Sequence, residues 1–218
     1  MYAAHVPEGE GPHPTLVLLH GWGASAHDLL GLAPILYGGR ALVLCPQGSL
    51  AMELAPGMAG YGWFPLGEGR EPDPEEVEAS VATLASFLDR VCERYPVDPR
   101  RLVIGGFSQG GFMAYLLALR TPERFAGLLA MSAWLPAALA LGLEKTSAHS
   151  QLPTLVVHGT ADPAIPIEQA QDAREVLSGL GVPVDYREYS MGHEIRPEAI
   201  DDIVAWLAEK SLRPVRLV

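Results

Sequence analysis

Hydrophobic residues fall along this chain in two alternating textures. TLVLLHG (15–21), ALVLCP (41–46), RLVIGGF (101–107), GLLAMS (127–132) and TLVVHG (154–159) are nearly continuous apolar runs. That pattern suits strands covered on both faces. VDYREYS (184–190) alternates apolar with polar, as a strand near a sheet edge does. Between the runs, apolar residues recur at helical spacing. In the clearest case Val77, Val81, Leu84, Leu88 and Val91 share one face. Asp73 caps that helix, Pro74 takes its first position, and Glu76 sits at capping-box spacing, so a helix over 73–95 is expected. Further helices are expected over 109–120, 166–179 and 197–210. Strands alternating with helices predict an α/β architecture, a mostly parallel central sheet with helices on both faces.

The length, 218 residues, suits one domain spanning 1–218. Residues 47–72, rich in Gly, Pro and Met, break the alternation. They read as an irregular excursion, which at that length is usually functional. Phe125 to Leu143 carry no charge and approach membrane-span length. Gly127, Ser132, Pro136 and Gly142 interrupt them, so a buried strand followed by an apolar loop or short helix is the better reading.

The net charge of -11 argues against nucleic acid as a partner and against docking on anionic membranes. Of two cysteines, Cys45 ends an apolar run and Cys92 lies in a helical pattern. Neither has zinc spacing, and both read as free thiols. The N-terminal MYAAHVPEGEGPHP has no basic start and no apolar signal core, so cytoplasmic residence is expected. The absence of asparagine and the near-exclusive use of arginine among the basic residues fit either a thermophile or GC-rich coding.

Glycine is unfavourable inside strands and helices, yet GGFSQGG (105–111) packs four around Ser108 between an apolar run and a helical pattern. GFSQG matches G-x-S-x-G in the strand–turn–helix setting that exposes a nucleophilic serine above a sheet. Such a serine needs a base, and in this arrangement the acid and the histidine follow it in that order. Asp162 follows the TLVVHG strand, and His193 follows the last strand beside Gly192. Asp172 falls on a helix, Asp185 falls in a strand, and Asp201 and Asp202 come after the histidine. His20 and His158 end strands and read as structural; His5, His13, His27 and His149 read as solvated. An oxyanion also needs preorganised N–H donors. The backbone N–H of Gln109 is one candidate, and that of Trp22, in LLHGWGAS (18–25), is the other. Met58, Trp63, Phe64, Trp134 and Leu135 are candidate linings of an apolar substrate pocket.

The segments LLHGWG, GYGWFPL, GFSQGGFMA, HGTADPAIP and MGHE resemble, in order and over nearly the whole chain, the small phospholipase/carboxylesterases of the α/β-hydrolase fold. That group includes acyl-protein thioesterases and lysophospholipase-like enzymes. The resemblance implies Ser108, Asp162 and His193 as a catalytic triad, and Trp22 and Gln109 as oxyanion donors. It also implies a substrate-side role for the Trp63–Phe64 pair. No metal or cofactor is implied; the partner is a small-molecule ester or thioester, and a homodimer is in keeping with the group. Two departures bear on substrate preference. Ala24 stands where an acid is frequent, and Ser132-Ala133-Trp134 replaces a Ser-Gly pair. The expected activity is hydrolysis of short- to medium-chain carboxylic esters, with thioesters or lysophospholipids as alternative substrates. The rival class, a non-catalytic binding protein on a hydrolase scaffold, predicts a missing triad member.

Overall fold

The computed structural model describes residues 1–66, 72–136 and 142–212. A seven-stranded sheet forms its centre, in the order β1 (Tyr2–His5), β3 (Leu42–Pro46), β2 (His13–Leu19), β6 (Val97–Phe107), β7 (Gly127–Met131), β8 (Thr154–Gly159), β9 (Val184–Tyr189). All neighbours are parallel except the β1–β3 pair at one edge. The central strands β2, β3, β7 and β8 are buried along their whole length. The alternating strand β9 closes the far edge, as its sequence predicts.

Strand alternation divides the core into two. Val17, Leu19, Leu44, Ile104 and Ala130 face α1 (Pro74–Arg94), α2 (Gln109–Arg120) and α3 (Ile167–Leu180). Leu16, Leu18, Val43, Val103 and Leu129 face α4 (Pro197–Trp206) and the short turns around Leu29 and Leu36. The α/β-hydrolase fold is therefore realised with helices on both faces, each covering one set of side chains that the pleat separates.

Helix α1 begins where its sequence says, but Asp73 accepts from the N–H of Glu75, not from that of Glu76. Residues 47–72 are not irregular throughout. Strands β4 (Leu50–Ala55) and β5 (Met58–Gly62) pair there as an antiparallel hairpin. LAMELA and MAGYG contain no β-branched residue and a single strand-favouring aromatic, Tyr61, so the strand signal in propensity is weak; pairing with each other and with the loop at Ala24 makes them strands. Two histidines read as solvated are buried. His149 bonds the Leu119 carbonyl through Nε2 and closes a cap with Thr146 through Nδ1, and His13 is the buried first residue of β2. Among the described residues no helix is long and apolar enough to cross a membrane; β7 is the buried strand expected there, and the loop or short helix expected to follow it runs into residues 137–141, outside the described residues.

Candidate active site

From β2 the chain steps to β3 on one side, and β6 then lies on the other side of β2. The carboxyl ends of β2 and β6 thus flank a switch in strand order, the place where an open α/β sheet leaves a crevice. Leu19 pairs with Gly106 in that register. The loop His20–Ala24 and the turn at Ser108 therefore leave the sheet side by side.

Ser108 has φ 54° and ψ -120°, a backbone conformation that L residues rarely adopt. Its N–H is held by the Met131 carbonyl at 2.9 Å, and its own carbonyl starts α2 by accepting from Phe112. Two glycines make the turn possible. A Cβ on Gly106 would stand 2.3 Å from the Gly110 carbonyl, and one on Gly110 would stand 2.0 Å from the Leu19 carbonyl oxygen. The strand, the helix and the neighbouring strand touch backbone to backbone, and the serine is pushed out of the layer.

The imidazole of His193 meets the hydroxyl. Its Nε2 lies 3.0 Å from Ser108 Oγ, and its Nδ1 lies 2.7 Å from Asp162 Oδ2. The Asp162 side chain is fully buried. Its other oxygen, Oδ1, accepts from the N–H groups of Ala164 and Ile165 at 2.8 and 2.9 Å. A carboxylate so bound accepts a hydrogen bond from the imidazole Nδ1–H, which leaves Nε2 as acceptor for the serine hydroxyl. The Phe107 ring packs on the imidazole with centroids 4.7 Å apart. Sequence reasoning gave His158 only a structural part, and the structure gives that part its content. Its Nε2 bonds the Ile165 carbonyl at 2.8 Å and lies 3.6 Å from Asp162 Oδ2, so it clasps the loop that presents the acid.

Beside Ser108 opens a cavity of about 710 Å³. Ser108, Gln109 and His193 form its floor, and Trp22, Leu66, Trp134, Ala164, Ile165, Pro166 and Gln169 its walls. Among the described residues no protein acceptor takes the backbone N–H of Trp22 or of Gln109. Of the sequence-derived pocket residues, only Trp134 lines this cavity. Met58 stands on the hairpin, 54% exposed, beside a separate shallow groove. Trp63, Phe64 and Leu135 are buried in the core; Phe64 packs against Phe112, which in turn meets Trp134. Aromatic residues in a glycine-rich stretch resemble pocket residues in sequence, but here they anchor the hairpin to the core. The wall from Ala164 to Gln169 was missed; the signal available was ADPAIP itself, which follows the acid directly.

The phospholipase/carboxylesterase family model matches residues 2–211. The chain belongs to the phospholipase/carboxylesterase family. It is 30% identical to an acyl-protein thioesterase 1 of Gibberella zeae over 92% of this chain and 91% of that protein. Among solved structures, esterase PE8 superposes with a TM-score of 0.82 at 26% identity, covering 96% of this chain and 98% of that one. A carboxylesterase of Bacillus cereus has a TM-score of 0.82 at 22% identity, with 95% and 93% covered, which speaks for the fold alone. The family is one of hydrolases, so the chain is a hydrolase, of the carboxylesterase and thioesterase kind.

Proposed function

We propose that the chain hydrolyses short- to medium-chain carboxylic esters through an acyl-enzyme on Ser108, with His193 as general base and Asp162 as its orienting acid. The observation that carries this reading is the unbroken series Ser108–His193–Asp162, at 3.0 and 2.7 Å, at the floor of a cavity with apolar walls.

The reaction runs in two halves. His193 takes the hydroxyl proton while Oγ attacks the acyl carbonyl, and Asp162 stabilises the imidazolium that forms. The N–H groups of Trp22 and Gln109 receive the developing oxyanion. His193 then returns its proton to the departing alcohol, and water repeats the sequence on the acyl-enzyme. Proton transfer by a placed base contributes about 10²–10⁴ in rate, and each oxyanion donor about 10²–10³. The strained backbone of Ser108 costs on the order of 1–3 kcal/mol; it keeps Oγ aimed at the imidazole in the absence of substrate.

A second reading, thioester hydrolysis, is supported by the 30% identical relative that is named an acyl-protein thioesterase. It uses the same atoms and differs only in the leaving group. One experiment tests both. Hydrolysis of p-nitrophenyl esters of increasing chain length is followed for the wild type and Ser108→Ala, beside the thioester of the best acyl chain. Activity is expected to vanish in the variant, and the ratio of thioester to oxygen-ester kcat/KM chooses between the readings. Activity that survives in Ser108→Ala rejects the nucleophile.

A further inference from the structure

Trp63 is 4% exposed, yet none of its polar groups is idle. Its indole Nε1–H donates to the His20 carbonyl at 2.8 Å. Its backbone N–H donates to Gln109 Oε1 at 2.9 Å. Its carbonyl accepts from the Ser80 hydroxyl on α1. The Gln109 amide continues the chain of bonds, donating through Nε2 to the Phe64 carbonyl at 2.7 Å. One residue earlier, the Trp22 ring lies on Gly62 so closely that a Cβ there would stand 2.6 Å from a ring carbon and 3.2 Å from Gln109 Oε1. Tyr61 exchanges backbone bonds with the same loop, accepting from Gly23 N–H and donating to the Ala24 carbonyl, both at 2.9 Å. Tyr61 to Phe64 therefore grip the loop that carries the Trp22 N–H and the residue that carries the Gln109 N–H.

The two donors need such a grip. They sit past the ends of β2 and β6, where the ladder that aligns Leu19 with Gly106 has stopped. An oxyanion site stabilises charge only if its donors hold their spacing before the charge appears. A misplacement of about 1 Å costs about 100-fold in rate. We infer that Trp63 and the Gln109 side chain are positioning residues that set the distance between the two oxyanion donors, with the base of the hairpin as the strut. This rests on the reading of Ser108 as nucleophile. It gives Trp63 a part other than contact with substrate, and gives the Gln109 side chain work separate from its backbone.

The test uses two variants of the whole chain. Trp63→Phe keeps an aromatic ring against His20, 5.0 Å away in the native protein, and removes the indole N–H. Gln109→Met keeps length and removes both amide bonds. Each is measured for kcat and KM on the preferred ester. Each is also measured for inhibition by a trifluoromethyl ketone, which forms an oxyanion adduct, and by the matching trifluoromethyl secondary alcohol, which has no carbonyl and does not. In both variants kcat is expected to fall about 10- to 100-fold with KM within threefold, as for an interaction made only in the transition state. Trifluoromethyl ketone affinity falls in proportion, and alcohol affinity stays at the wild-type value.

Equal loss for both inhibitors, a change in KM alone, or kcat within twofold of wild type in both variants overturns the proposal. Failure of both variants to fold also overturns it, since it assigns the pair to the core. A wild-type protein that forms no adduct with the trifluoromethyl ketone rejects the nucleophile itself. A wild type that forms one, beside variants that form it equally well, rejects only the strut.

Discussion

Replacing Asp162 by asparagine separates holding a loop from orienting a base. Oδ1 accepts two backbone N–H groups, from Ala164 and Ile165. An amide nitrogen cannot stand there, because it would point its hydrogens at donors. The asparagine oxygen must therefore take the Oδ1 position, which forces its NH₂ to the Oδ2 position, 2.7 Å from His193 Nδ1. To avoid a donor-to-donor contact, the imidazole moves its proton to Nε2, and Ser108 then faces a donor instead of an acceptor. In the serine-hydrolase template this tautomer change lowers kcat by about 10⁴, or about 5.4 kcal/mol at 1.36 per factor of ten.

The loop itself should survive, since both Oδ1 bonds remain. Asp162→Ala is different: the buried Ile165 N–H loses its acceptor, at about 1–3 kcal/mol of stability. The assay is kcat/KM on a p-nitrophenyl ester beside urea denaturation of both variants. Asp162→Asn is expected to be about 10⁴ down in activity and more stable than Asp162→Ala. An asparagine variant within tenfold of wild-type activity, with the loop folded, would refute the orienting role.

Other expectations follow from single residues. Gly110→Ala puts a Cβ 2.0 Å from the Leu19 oxygen, which is backbone and cannot swing away. A loss at or beyond the top of the about 1–3 kcal/mol usual for overpacking is expected in urea denaturation. Gly179→Ala, at an exposed position of α3 with nothing within 4 Å, should instead gain about 0.5–1 kcal/mol. Trp134→Ala should move the chain-length optimum of ester hydrolysis, whereas Met58→Ala should leave the profile superimposable on wild type. The opposite pattern would put the acyl chain on the hairpin. Burial holds the His20 imidazole below its ordinary value. Its Nε2 accepts the Gly48 N–H while Nδ1 contacts the Gly21 carbonyl, which requires the neutral form. The unfolded chain then binds more protons below about pH 6.5, so His20's contribution is present above that pH and is lost as pH falls toward the folded value. His20→Gln should flatten the fall in unfolding free energy between pH 7 and pH 5.

What could be read in advance follows from where the information lies. The five apolar runs all became sheet strands, because burial on both faces leaves a local signature. The β1 strand, YAAH, is only partly buried along its length and has no such signature. The hairpin β4–β5 was hidden because its Ala, Met and Gly carry no strand preference, and its hold on the rest of the molecule, through Ala24, comes from a residue distant in sequence. The meeting of Ser108, Asp162 and His193 was legible because each is tied to the end of a recognisable strand. The pocket walls were not. Whether Trp63 faces a cavity or the core depends on His20, Ser80 and Gln109, which are brought beside it only by folding.

The two ends of the β4–β5 hairpin live under different rules. At its tip Gly57 has open space around it and Met58 is more than half exposed. At its base Gly60 and Gly62 are pressed against the Gly23 carbonyl and the Trp22 ring. Within a handful of residues the chain passes from a region where lineages can drift, lengthen or graft new sequence to one where a single methyl group meets backbone. Diversification of this hydrolase should therefore enter by the tip, as should any fluorescent or affinity handle added by design, while the base changes only in concert with the loop it grips.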